Sequence, residues 1–136
     1  MSIEDVKRVM DDEPWLTSEG MSKALHYPRS MPLSEREATF QKFRQKLVDN
    51  WEQSARAAQW LSGMKKRITV NPDHTSYAYK HMAEVATGAY ISNGAFIAAA
   101  IHMGFSYKPI DDSLNVLLGI SEQSINKLPP DIRHAA

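Results

Sequence analysis

The stretch Ser92-Asn-Gly-Ala-Phe-Ile-Ala-Ala-Ala-Ile-His-Met-Gly-Phe105 constrains this chain more than any other part of it. From Ala95 to Met103 its only polar side chain is His102, so a helix here is apolar on almost every side and must be surrounded by other elements. Ser92 or Asn93 supplies a cap and Gly104 a stop, which predicts a buried central helix over 93–103. The run is too short to cross a bilayer, which needs about 20 such residues.

What can surround it is an amphipathic helix with no proline or glycine between Ser34 and Gly63. Ser34-Glu-Arg-Glu37 reads as a capping box, and Phe40, Phe43, Leu47, Trp51, Ser54, Ala58 and Leu61 fall on one line at helical spacing. One long helix over 35–62 follows, roughly 42 Å long at 1.5 Å per residue. A globule of this length has a diameter of about 37 Å. A straight rod must therefore bend, protrude or meet a second copy, and a homodimer through the long helix is one expectation.

Upstream, Ile3, Val6 and Met10 share a helical face behind Ser2, and Pro14 closes it. Thr17 is placed to cap a second short helix with Met21, Ala24 and Leu25 inward, ended by Tyr27-Pro28. Residues 1–30 thus read as a two-helix appendage, and 31–128 as a helical core with a small β-ribbon. Downstream, Thr75 or Ser76 caps a helix that Gly88 ends, with Tyr77, His81 and Val85 as its inner face. Residues 105–110 and 115–120 flank the polar turn Asp111-Asp-Ser113 and read as a late hairpin, with Ile68-Thr-Val70 as a third strand and Pro109 holding its strand to an edge. A last short helix over 121–128 ends at Pro129-Pro130, and the final six residues are expected to be loose. The fold class is mostly α, a single helical domain over 1–136.

Charge narrows the function. The chain has 16 basic and 16 acidic residues, so no net field favours nucleic acid or an anionic membrane, and a charged partner must be met by a local patch. Residues 34–67 hold that patch. Lys42, Lys46, Arg56 and Trp60 lie opposite the apolar line, and Lys65, Lys66 and Arg67 follow the helix end, which makes these seven the candidate partner-binding residues. A tryptophan on a solvent face beside bases suits a protein interface or a stacking site for single strands. Zero cysteines exclude disulfides and thiolate metal sites, and the first residues lack a secretory apolar segment, so a cytoplasmic protein is expected.

Chemistry is harder to find. No dinucleotide or phosphate loop, nucleophile elbow or zinc-protease motif is present. His74-Thr-Ser-Tyr-Ala-Tyr-Lys-His81 concentrates histidines, tyrosines and hydroxyls, but its spacing completes no metal shell, and an enzyme would need both histidines in one cleft. No catalytic residue, metal or cofactor is therefore assigned. A DNA-binding regulator is the rival reading, through residues 1–30 as a helix-turn-helix or through a winged helix. Against it, Lys23 is the only base in Thr17–Leu25, and the apolar central helix has little to offer a base edge.

The runs Thr75–His81 and Tyr90–Phe105 resemble uncharacterised small accessory proteins of bacterial plasmids, integrative elements and phages, over residues 75–120. The resemblance implies a setting in which such proteins regulate transcription or disable host defence machinery. The expected function is non-enzymatic binding of a protein, in concrete form an anti-CRISPR-like inhibitor of a host defence complex.

Overall fold

A computed structural model of the chain describes residues 1–21 and 27–135. Its organising element is the helix α5 (Asn93–His102), in which every residue from Asn93 to Ala100 is buried. Ser92 is its cap, its Oγ accepting from the Ala95 amide at 3.1 Å. Phe96 and Ile97 are fully enclosed, and Ile101 packs against the same core while keeping an open edge. The apolar composition predicted this, because leaving such residues wet would forgo about 1.5–3 kcal/mol each.

Helix α1 (Ile3–Asp12) starts at a capping box between Ser2 and Asp5 and turns Val6, Val9 and Met10 inward. These side chains join the cluster that holds Phe96, so the N-terminal segment is part of the core rather than an appendage. The expected second helix is also replaced over its described part. Leu16–Thr17 (β1) and Gly20–Met21 (β2) pair as a minute antiparallel hairpin, and Ala24, Leu25 and Lys23 lie outside the described residues. Thr17 caps no helix. Its Oγ1 accepts from the Glu19 amide at 3.1 Å, shaping the turn instead.

The long helix is broken. It forms α2 (Leu33–Asp49) and α3 (Trp51–Leu61), separated by Asn50 at φ −105° and ψ 33°. Asn50 Nδ2 bonds back to the Lys46 carbonyl at 2.9 Å, a local alternative to continuing the helix. The predicted single rod is thus two helices of 17 and 11 residues. The predicted capping box is absent, since Pro32 precedes the first turn without a side-chain cap and Glu37 instead accepts from Gln41. The apolar line survives the break: Phe40, Leu47, Ser54, Ala58 and Leu61 are buried. Ser54, the one polar member, donates to the Ala95 carbonyl at 3.0 Å and thereby ties α3 to α5.

Helix α4 (Ser76–Thr87) has the predicted ends, with Thr75 as N-cap and Gly88 at φ 72° as C-cap. Its phase differs. Tyr79, Met82 and Ala83 are buried, whereas Tyr77 and Val85 are 51% and 49% exposed. Tyr79 stacks on Phe96 with centroids 6.3 Å apart, and turning the other face inward would have put His81 into an apolar core.

Strands β3 (Lys66–Asn71), β4 (Tyr107–Pro109) and β5 (Val116–Ile120) form an antiparallel sheet in the order β3-β5-β4, with Pro109 on the edge strand as expected. Lys66 faces Ile120 and Asn71 faces Leu118, so the residues between them bulge and Ile68 stands 95% exposed. After α6 (Glu122–Asn126) the chain forms one more turn, α7 (Pro130–Arg133), which packs against α4. The last residues are therefore less loose than the prolines suggest, because Pro130 opens a helix. Among the described residues no helix is long and apolar enough to cross a membrane.

Candidate partner-binding cleft

Four segments meet at the N-terminal end of α5. The β1–β2 turn closes onto it: the Gly94 amide donates to the Ser18 carbonyl at 3.0 Å, and a Cβ on Gly94 would lie 1.7 Å from the Thr17 oxygen. Only glycine allows that approach. Gln53 of α3 closes the next side, its Oε1 accepting from the Ser92 amide at 2.9 Å. The end of α2 adds Phe43 and Lys46, and α4 adds Tyr77 and Lys80. Between them lies a cleft of about 490 Å³, floored by Ser92 and Asn93.

Two of its side chains are unusual. Lys80 is only 5% exposed, with its ammonium 3.3 Å from Glu84 and 5.0 Å from the ring centroids of both Tyr77 and Tyr90. Both tyrosines are largely open to solvent, so the lysine is wrapped by rings whose other surfaces are free. Glu84 also receives the His81 ring at 2.9 Å and the Ile91 amide at 3.1 Å, which holds the α4–α5 connection in place. Asn93 is 7% exposed, and its Nδ2 donates to the Glu19 and Leu114 carbonyls and to Asn115 Oδ1. These acceptors fix the amide's orientation. Its Oδ1 is buried without a partner.

The predicted binding residues separate into two groups. Lys46 lines the cleft, and Arg56 stands beside it, donating to the Tyr90 carbonyl at 2.9 Å. Lys42 is exposed elsewhere on α2. Trp60 is half-buried with its ring 6.0 Å from Phe96, so it belongs to the edge of the core and not to an open face. The break at Asn50 interrupts the helical register between α2 and α3, and a single helical wheel does not allow for that. Lys65, Lys66 and Arg67 are exposed, but they follow the far end of α3, roughly 16 Å along its axis from the cleft. Lys66 lies over the Phe105 ring at 5.5 Å, and Arg67 donates to Thr69.

The histidines do not share a cleft. His74 Nε2 sits 3.0 Å from Glu122, whose carboxylate also accepts from Asn71 at 2.8 Å. These bonds, Asn71's first and His74's after it, hold Glu122 below the usual carboxylate range. His81 serves Glu84. Among the described residues, none lining the 490 Å³ cleft is a histidine, and Ser92 Oγ is occupied as a cap. No three His, Asp or Glu side chains among the described residues converge as metal ligands. The arrangement can hold a partner by stacking, charge and hydrogen bonds.

No family model, curated protein or solved structure matches the chain. The site is therefore read from its own geometry.

Sequence reasoning missed Tyr90 and Asn93, and gave Lys80 no role beyond its place in the His74–His81 cluster. Asn93 read only as a cap. One signal was available: α4 carries apolar or aromatic side chains on two faces, Tyr77–His81–Val85 and Tyr79–Met82–Ala83, and one α5 cannot cover both.

Proposed function

We propose that the protein is a non-enzymatic binding protein that grips another protein over the mouth of this cleft. One observation carries the reading: α4 presents Tyr77, His81 and Val85 at successive helical turns toward solvent, and Tyr90, 64% exposed, extends the same surface. Tyrosines that combine a large apolar face with a polar tip are enriched in interfaces, and here they rim a concave polar site instead of standing singly. Lys46 and Arg56 supply charge at that rim. The likeness of residues 75–120 to accessory proteins of mobile elements supports a component of a host defence complex as the partner, met in the cytoplasm.

The test compares affinity capture from the native cell by the wild type, by Tyr77→Ser/Tyr90→Ser and by the control Lys42→Ala. The wild type and the control are expected to retain the same partner, and the tyrosine variant to lose it. Equal retention by all three refutes the reading.

A second reading attaches to the bulge of β3, where Lys65, Lys66 and Arg67 precede the fully open Ile68. Bases beside an apolar wedge suit a nucleic-acid groove. Binding to random duplex that weakens steeply with salt and disappears in Lys65→Ala/Arg67→Ala would favour it.

A further inference from the structure

The edge of the three-stranded sheet carries a patch that the cleft does not use. Lys66 faces Ile120 and Asn71 faces Leu118, so residues 67–70 stand opposite Gly119 alone and are pushed outward as a bulge. Ile68 rides on it at 95% exposure, the most open large apolar side chain among the described residues. Bases surround it. Lys65, Lys66 and Arg67 are exposed, and the Lys65 amide donates to Ser124 Oγ at 2.8 Å while its carbonyl accepts from the Ser121 amide, which seats the start of α6 beside the strand. Lys127, three residues after Ser124 and so on the same side of that turn, is exposed as well. Among the described residues none of these bases forms an ion pair. Lys66 rests on the Phe105 ring and Arg67 bonds the Thr69 hydroxyl, contacts that leave both charges in place. The acids of the region are Glu122, already bonded to His74 and Asn71, and Asp73 in the turn beyond β3, so the patch stays net positive.

We infer that this patch docks on an anionic phospholipid surface, with Ile68 entering the boundary between headgroups and acyl chains and Lys65, Lys66, Arg67 and Lys127 lying among the lipid phosphates. An open isoleucine ringed by bases calls for a partner that is negative outside and apolar just beneath, and a bilayer surface supplies both layers. A duplex is the poorer fit. Insertion of Ile68 between bases has first to unstack a step, and four cations give few phosphate contacts to offset that, whereas a lipid surface takes the side chain without separating stacked rings. Nor is the bulge equipped to read bases, since its one forked donor, Arg67, is engaged with Thr69. Each base near such a surface strengthens binding about fivefold and the buried isoleucine about tenfold or more, so the contact is weak and reversible, of the order of one acyl anchor. The patch lies at the far end of α3 from the cleft and is independent of the protein-binding reading.

The full chain is floated with vesicles of phosphatidylcholine alone and of phosphatidylcholine with phosphatidylserine, and in parallel titrated into a labelled random duplex. The chain has no cysteine, so Ile68→Cys and the control Val85→Cys can each carry a single environment-sensitive nitrobenzoxadiazole dye. Binding to the serine-containing vesicles is expected to exceed binding to the neutral ones at least about tenfold and to weaken as salt rises. Ile68→Ser and Lys65→Ala/Lys127→Ala are each expected to lower it about tenfold or more, and Tyr77→Ser/Tyr90→Ser to leave it unchanged. All of these positions are exposed, so the substitutions spare the core. With vesicles the dye at position 68 should shift to the blue and the dye at position 85 should not. Equal binding to neutral vesicles, undiminished binding by Ile68→Ser or by the lysine variant, loss through the tyrosines, or a dye at position 68 that keeps its colour each overturns the inference. Tighter binding to the duplex, lost with the same lysines, also overturns it and assigns the patch to nucleic acid.

Discussion

Tyr79 places a phenol where the core has no use for one. The ring is fully buried against Phe96, its hydroxyl has no partner, and burial pushes its pKa well above the usual tyrosine value. Tyr79→Phe should therefore raise stability by about 1 kcal/mol, seen as a higher urea midpoint, since it removes an unsatisfied polar atom and leaves the packing. A lower midpoint would mean that the hydroxyl is bonded. The glycines give a second contrast between cost and space. Gly94→Ala drives a methyl into the Thr17 carbonyl and should cost roughly 3 kcal/mol or more. Gly88→Ala meets nothing within 4 Å and suffers only its left-handed backbone, about 1 kcal/mol. Thermal unfolding of the pair decides it, and equal losses would remove the close approach on which the cleft depends.

Arg44 reinforces a junction that a backbone bond from the Ser18 amide to the Phe43 carbonyl begins. Its guanidinium donates to the carbonyls of Met10, Glu13, Pro14 and Leu16, and so completes the end of α1 and ties the β1 hairpin to α2. Arg44→Met keeps much of the stem and loses the fork, for an expected loss of about 2 kcal/mol in urea unfolding, with faster amide exchange confined to residues 10–17. A uniform rise in exchange would argue for packing instead. Glu122 links α6 to the start of α4 through His74 and Asn71. Its folded pKa is depressed, so its contribution is complete above the ordinary value of 4.5 and is lost as pH falls through that value toward the folded one. Wild type should exceed Glu122→Gln at pH 7 by less than about 1 kcal/mol, the carboxylate being partly exposed, and the gap should shrink progressively as pH falls below 4.5. A gap that persists in acid would assign the effect to shape. The sequence made element ends legible where a cap acts within one turn, as at Ser2, Thr75, Gly88 and Ser92. It did not show the break at Asn50, where no proline or glycine stands, nor the phase of α4, which depends on what α5 already covers.

At the scale of the molecule, the apolar run was readable because enclosure follows from composition alone: a helix without a polar side has only one place to be. The cleft was not readable, because its walls come from residues near 18, 46, 53, 80 and 93, and only the folded chain brings them together. Lys46 and Arg56 were found through charge, and the rest waited on topology. The same topology sets the order in which structure is lost. Helix α5 is packed by α1, α3, α4, β1 and β2, so none of its amides can open without dismantling several contacts at once. Native-state hydrogen exchange should therefore show Phe96–Ala100 exchanging only with global unfolding, and their protection should fall one for one with denaturant-measured stability in Gly94→Ala. Helix α7 and the bulge around Ile68 should open at far lower free energy, since one is a single turn and the other lacks ladder partners. Amides of α5 that exchange as readily as those of α7 would mean that the helix can leave its socket alone. The floor of the cleft, which is the first turn of α5, would then be a moving part and could not hold the rim in place for a partner.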